Sequence, residues 1–282
     1  MLRSVIDAHC HVLPPDFQRR RSSLLHRDAT FGALFTKPSS PMATVTDLLE
    51  TMERDSVSRA VIMGLGWTSR ELAREANDYL IESALAQAGR LSAFCSVNPL
   101  WGDDAVAELE RCAQAGAVGI GELHPDSQAF DITDKACMGP VMDAARRLGL
   151  PVLVHASEPV GHQYPGKGQT TPGKLYRFIE NFPGNTIICA HWGGGLPFYA
   201  LMPEVPEVIK NVYFDTAVSP FLYRPDVVRT VVDLIGPDKI LFGTDYPLIQ
   251  PQRLVQYVEE ANLDQSAEAA ILGGNAARLL GL

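Results

Sequence analysis

Asp7-Ala8-His9-Cys10-His11 follows a short apolar run, Ser4-Val5-Ile6, that reads as a buried strand. Side chains two apart on a strand point to the same face, so His9 and His11 present two imidazoles side by side and Cys10 faces away. Two neutral imidazoles held together suit a borderline cation such as Zn²⁺, which takes histidine nitrogen at ~2.0–2.1 Å. Taken alone, a His-x-His pair is a weak signal. Its weight comes from what stands at the ends of the later apolar runs.

Those runs lie at residues 59–63, 92–97, 117–122, 152–155, 186–191, 212–215 and 240–245. Between them the apolar spacing turns helical. One helix is capped by Thr46 and runs to about Asp55. A longer one starts at Thr68 or Ser69 and is stopped by Gly89. Further helical patterns cover 103–115, 134–148, 174–181, 226–235 and 251–260, and two short ones close the chain at 264–272 and 275–280. The polar, Pro-containing stretch from Pro14 to Pro41 reads as a long loop, a length that in compact domains goes with function or disorder. Eight strands alternating with helices predict a parallel (β/α)8 TIM-type barrel, one domain over residues 1–282. A doubly wound open sheet would carry a Gly-rich phosphate loop after its first strand, where this chain has His-x-His.

Composition bounds the partners. The chain has 282 residues, 46% hydrophobic and 20% charged, with a net charge of −9, so a nucleic-acid or anionic-membrane partner lacks its electrostatic footprint. Arg19-Arg20-Arg21 reads as a solvated loop. No apolar run approaches the ~20 residues of a membrane span, and no charged-then-apolar leader opens the sequence. The five cysteines are scattered without a Cys-x-x-Cys, which suits reduced, buried thiols and a cytoplasmic location. The expected partner is a small-molecule substrate; a homo-oligomer is left open.

In a β/α barrel the chemistry sits at the C-terminal ends of the strands. Those ends carry His9 and His11, Glu122, His155, His191 and Asp245. Burying that many ionisable groups together would be costly without a cation, so all six are expected as metal ligands. Zn²⁺ is the expected ion, one or two per chain, with Mn²⁺ admitted by the carboxylates. Asp245 and His191 are the catalytic candidates. The segment 157–168, with His162, Tyr164 and Lys167, is expected to order over substrate. His124 lies just past Glu122, and Trp192, followed by Gly193-Gly194-Gly195, is placed as an apolar wall. His124, Tyr164, Lys167 and Trp192 are thus the substrate-binding candidates. Asp215 reads either as a support for a ligand or as a turn carboxylate.

The ordered set Asp7-Ala8-His9-Cys10-His11, Val154-His155, Ala190-His191-Trp192-Gly193-Gly194, Gly243-Thr244-Asp245-Tyr246-Pro247 and Gly274-Asn275-Ala276-Ala277-Arg278-Leu279-Leu280 resembles the amidohydrolase superfamily, in the branch called amidohydrolase-related or "amidohydrolase 2". The resemblance spans essentially the whole chain. It implies His9, His11 and Asp245 on one metal, with His155 and His191 on a second or close to the first. Glu122 departs from the pattern: many members have a carboxylated lysine on strand four, and the decarboxylases of the branch have no carboxylate ligand there. A glutamate resembles TatD-type hydrolases, where it bridges two metals. The function expected is therefore a metal-dependent hydrolase of a small amide, ester or lactone, with metal-activated water attacking a carbonyl and Asp245 shuttling the proton. The alternative is a non-oxidative decarboxylase or hydratase of an aromatic or muconate-type acid.

Overall fold

Every apolar run that reads as a strand becomes one in the computed structural model, which describes residues 4–282. The strands are β1 (Ile6–His11), β2 (Arg59–Met63), β3 (Leu91–Cys95), β4 (Gly119–Leu123), β5 (Val152–Val154), β6 (Ile187–Cys189), β7 (Val212–Asp215) and β8 (Ile240–Leu241). They pair in parallel, in chain order, as one eight-stranded sheet. The sheet curls until β8 meets β1, giving a TIM-type barrel. Ala8 N–H donates to the Phe242 carbonyl at 2.8 Å, Asp245 N–H to His9 at 2.9 Å and His11 N–H to Tyr246 at 2.7 Å. Four strands stop earlier than their apolar runs, at Cys95, Val154, Cys189 and Leu241, and His155, His191 and Asp245 thus stand just beyond the ladder.

Alternation along the strands divides the core in two. Ile6, Ala8, Val61, Met63, Phe94, Leu153, Ile188 and Leu241 fill the barrel interior, and Ala276 of the closing helix Asn275–Leu280 packs on the same cluster. Cys10, Ile62, Cys95, Ile120, Val154, Cys189 and Phe242 face the surrounding helices. No helix among the described residues is long and apolar enough to cross a membrane.

The stretch read as a long loop folds into three short helices, α1 (Pro15–Arg19), α2 (Arg21–Arg27) and α3 (Ala29–Phe35). Phe17, Leu24 and Phe31 recur every seven residues, and together with Phe35 they bury against Trp67 and Leu72 in a cluster of their own. The Phe17 and Trp67 rings meet edge to face at 5.8 Å. Burial of each large apolar side chain contributes about 1.5–3 kcal/mol, enough to order a segment whose polar composition reads as loop. Of the three arginines only Arg19 is solvated as read; Arg20 pairs with Glu75 at 2.6 Å and Arg21 donates to the Phe35 carbonyl at 3.1 Å.

After this cap come α4 (Val45–Arg54) and α5 (Arg70–Ala86). The cap of α4 is Thr44 rather than Thr46, through a reciprocal box with Asp47. Ser69 caps α5.

Asp28 holds the cap to the barrel. Its buried carboxylate accepts from Phe31 N–H at 2.9 Å, starting α3, and from Thr68 N–H at 2.7 Å and Ser69 N–H at 2.9 Å, at the start of α5. Replacing it leaves several buried donors unpaired at once. Asp28→Ala is expected to cost about 2–3 kcal/mol in urea unfolding, and Asp28→Asn clearly less, because an amide oxygen still accepts. Equal stability of Asp28→Ala and wild type would show that the cap docks without this carboxylate.

Candidate metal centre

Two bulges and two left-handed residues bring the ionisable groups inside. On β1, Asp7 pairs with Ala60 and Cys10 with Ile62, so Ala8 and His9 together oppose Val61. The extra residue lets Ile6 and Ala8 fill the lower interior while His9 and His11 also point inward above them. On β4, Ile120 pairs with Val152 and Leu123 with Val154, so Gly121 and Glu122 together oppose Leu153. Gly121 has φ of +151°, and a Cβ there would lie 2.8 Å from Leu153 Cβ; glycine is what admits the bulge that swings Glu122 inward. His191 and Asp245 take φ of 55° and 61° at the ends of their runs. Non-glycine residues adopt that region at a cost, and such residues gather at functional sites.

The imidazoles are aimed by what their Nδ1 atoms hold. His9 Nδ1–H donates to Asp215 Oδ2 at 2.8 Å, His11 Nδ1–H to the Gly64 carbonyl at 2.9 Å and His191 Nδ1–H to the Ala217 carbonyl at 3.3 Å. Their Nε2 atoms turn inward, and those of His9 and His11 lie 3.0 Å apart. Two bare nitrogen lone pairs would repel at that distance, so either a shared proton or a cation must lie between them. Asp245 Oδ1 is 3.2 Å from His11 Nε2. Glu122 straddles the centre: Oε2 lies 3.5 Å from His11 Nε2, and Oε1 lies 3.1 Å from His155 Nδ1 and 3.7 Å from His191 Nε2. Two donor sets result, His9, His11 and Glu122 on one side and Glu122, His155 and His191 on the other, each with its ligand atoms within 4.8 Å of one another.

The protein's own charges call for a positive charge here. Burial works against it, yet the Asp215 carboxylate lifts His9 to about 10, and Glu122 lifts His191 to about 9 against the same burial effect. Burial would raise the two carboxyls, but His155 holds Glu122 well below the usual range and His11 brings Asp245 down to about 2. A nitrogen and carboxylate cage of this kind, with its imidazoles oriented by outer hydrogen bonds, fits a divalent cation.

Above the cage opens a pocket of about 580 Å³. His11, Glu122, His155, His191 and Asp245 form part of its wall, with His124, Tyr164 and a largely apolar remainder that includes Leu34, Phe35, Leu65, Val218, Phe221 and Leu248. His124 stacks on His155, ring centroids 4.0 Å apart. Its Nδ1 accepts from Ser127 N–H at 3.4 Å, which leaves the ring proton on Nε2. That atom is buried and has no partner among the described residues. Tyr164 reaches the pocket and donates its hydroxyl to Glu158 at 2.8 Å.

Two substrate candidates stand elsewhere. Trp192 is fully buried with its indole N–H on Ser219 Oγ at 2.7 Å, behind the wall rather than in it. Lys167 donates to the Val160 and His162 carbonyls at 2.7 and 2.9 Å and pins its own loop. The sequence reading missed the α3 wall, Leu34 and Phe35, whose signal was the seven-residue spacing upstream; of its two readings of Asp215, the support for a ligand holds, since Asp215 orients His9.

The family model described as "Amidohydrolase" matches residues 6–282. A gamma-resorcylate decarboxylase of Polaromonas sp. is 26% identical over 255 residues, covering 76% of this chain and 77% of that protein. The 2-amino-3-carboxymuconate-6-semialdehyde decarboxylase of Dictyostelium discoideum is 22% identical over 98% of this chain and 91% of its own. Among solved structures, the 5-carboxyvanillate decarboxylase of Novosphingobium aromaticivorans, complexed with manganese and 4-hydroxy-3-methoxy-5-nitrobenzoic acid, superposes with a TM-score of 0.82 at 16% identity, over 100% of this chain and 97% of that one.

These relatives overturn the hydrolase of an amide, ester or lactone. They are decarboxylases, lyases of aromatic or muconate-type acids, and they back the alternative reading. Zinc, too, comes down to a metal without a fixed identity. Glu122 was the residue that tipped the sequence reading toward hydrolysis, through its likeness to the metal-bridging glutamate of TatD-type hydrolases, and a carboxylate there also sets a negative charge beside an acid substrate. The imidazoles packed around it cancel that charge, so its presence does not tell the two chemistries apart.

Asp215 does not line the pocket, so its effect on metal would pass through His9, whose Nδ1–H it takes, and through His191, whose backbone N–H it accepts. Asp215→Asn is expected to weaken binding of Mn²⁺ or Zn²⁺ by about 10–100-fold in competition with a chelator. Unchanged affinity would mean that His9 is held by packing alone.

Proposed function

The chain belongs to the amidohydrolase family, and from that premise we propose that it is a metal-dependent, non-oxidative decarboxylase of a small aryl acid carrying a hydroxyl beside the carboxylate. The observation that carries the reading is Asp245 set with a cation-seeking cage at the floor of a largely apolar pocket. Loss of CO₂ turns a localised carboxylate into a neutral gas, and a poorly solvated carboxylate has the most to gain from that change. The decarboxylases similar to this chain, one of them solved with manganese, support the same reading.

His9, His11, Glu122, His155, His191 and Asp245 are the residues proposed to hold the ion, Mn²⁺ or Zn²⁺, one or two per chain. When bound, a divalent cation supplies positive charge that offsets the substrate's carboxylate and phenolate oxygens. The chain's own residues supply the rest. Breaking the bond from ring carbon to carboxylate leaves an electron pair on the ring, which must take a proton. Asp245 is placed to deliver it. Burial raises its pKa, and the imidazoles, His11 foremost, outweigh burial and bring it to about 2 before any substrate is present. Two anionic oxygens beside it push that value up, so the proton leaving the substrate hydroxyl passes to Asp245 and from there to the ring carbon. His191, its Nδ1–H on the Ala217 carbonyl and its Nε2 turned inward, would keep that nitrogen for the ion, and the phenolate takes its proton back from water as product leaves. His124 Nε2–H, the buried donor without a partner, binds a substrate oxygen, and Tyr164 closes the pocket above it. Unpaired buried donors are costly, and a bound acceptor relieves that cost. A single-domain chain acting in the cytoplasm remains part of this proposal.

The test is CO₂ release from hydroxybenzoates by protein loaded with Mn²⁺ or Zn²⁺, with metal content measured on the same preparation. Asp245→Asn is expected to lose about 10²–10⁴-fold in kcat while holding at least part of its metal. A metal-replete wild type that releases no CO₂ from any of these acids would overturn the assignment.

A further inference from the structure

We infer that the pocket selects an aryl acid with a single carboxylate and a sizeable apolar substituent, and that it discriminates against dicarboxylates. The inference rests on the decarboxylase reading and names the substrate class of that same site. One carboxylate has a place at the cage. A second would project into walls made by Leu34, Phe35, Leu65, Val218, Phe221 and Leu248. Among the described residues, no lysine or arginine lines the pocket.

Of the cations flanking those walls, Lys37 and Arg224 are exposed and line no part of the pocket, Arg224 pairing with Asp226 at 3.2 Å, and three others are engaged elsewhere. Lys167 holds two carbonyls of its own loop and lies over the Tyr164 ring. Arg21 is spent on the Phe35 and Pro38 carbonyls, and Arg253 stacks on Phe221, 5.3 Å from the ring centroid, without lining the pocket. Outside the cage and His124, the one lining imidazole is His162, exposed at the rim beside Tyr164.

A carboxylate buried without a cationic partner keeps its desolvation cost, whereas a hydrocarbon chain in the same place is favoured. The volume points the same way, because about 580 Å³ is more room than a single-ring acid fills. The unpaired donor fits as well. His124 offers one N–H, enough for one hydroxyl or carbonyl oxygen on the ring.

Binding by titration calorimetry and CO₂ release, both on manganese-loaded protein, test this with salicylate, a propylsalicylate and hydroxyisophthalate. The propylsalicylate is expected to bind about 10-fold or more tighter than salicylate, the scale of added apolar contact in a hydrophobic pocket. Hydroxyisophthalate is expected to bind more weakly than salicylate. Leu248 lies at the mouth, half exposed and outside the cage, so Leu248→Arg should fold and should raise binding of hydroxyisophthalate relative to salicylate measured on the same variant. Wild-type protein that binds hydroxyisophthalate as tightly as the propylsalicylate overturns the inference, and the decarboxylase reading stands if CO₂ is released from either acid. If none of the three is bound or decarboxylated, the decarboxylase reading fails and the inference falls with it.

Discussion

The seam between the first and last strands is the constraint on which the rest depends. β8 has only Ile240 and Leu241 in the ladder, so the barrel is closed mainly by the turn at its C-terminal end. Asp7 does much of that work. Its buried carboxylate accepts from Thr244 N–H at 3.0 Å and from the Thr244 hydroxyl at 2.6 Å. Burial pushes Asp7 up to about 6 even though those bonds pull the other way, a measure of how deeply it is set. The same turn brings Asp245 N–H onto the His9 carbonyl, so one set of bonds both closes the barrel and sets Asp245 against His9 and His11. Here fold stability and site geometry are a single interaction.

The site is built mostly where the strands stop being regular. Of the six ionisable groups, His11 and His155 face inward by ordinary alternation past a neighbouring interior position. His9 and Glu122 need bulges, and His191 and Asp245 need left-handed backbone. An ordered barrel interior is apolar and close-packed, which leaves no place for six charged or chargeable groups. Lifting them past the ladder sets them above the apolar layer, and Asp215 fixes the result from outside by taking His9 Nδ1–H and accepting His191 N–H at 2.8 Å.

Chemistry is then selected by what surrounds the cage rather than by the cage itself. A nitrogen and carboxylate set can serve hydrolysis or decarboxylation. The α1–α3 cap and the segments around Val218 and Leu248 convert the rim into an apolar enclosure, and that enclosure favours a reaction that discharges a carboxylate over one that delivers water. The misreading of Glu122 has the same origin. As an isolated letter it is an anion; in place, it is an anion among four imidazoles.

By itself the sequence determined the barrel, its eight strands, most helices to within a residue or two, and the identity of the six groups at the rim. These follow from local periodicity and from residue chemistry, which a chain carries without knowing its neighbours. Only the tertiary structure decided the bulges at His9 and Glu122, since a bulge is a mismatch between two strands and neither strand encodes it alone. The same holds for the order in residues 15–35, where Phe17, Leu24 and Phe31 gain helical structure only through Trp67, dozens of residues away. It holds also for Lys167 and Trp192, which carry the right chemistry for a substrate but are turned aside by carbonyls and a hydroxyl that lie closer.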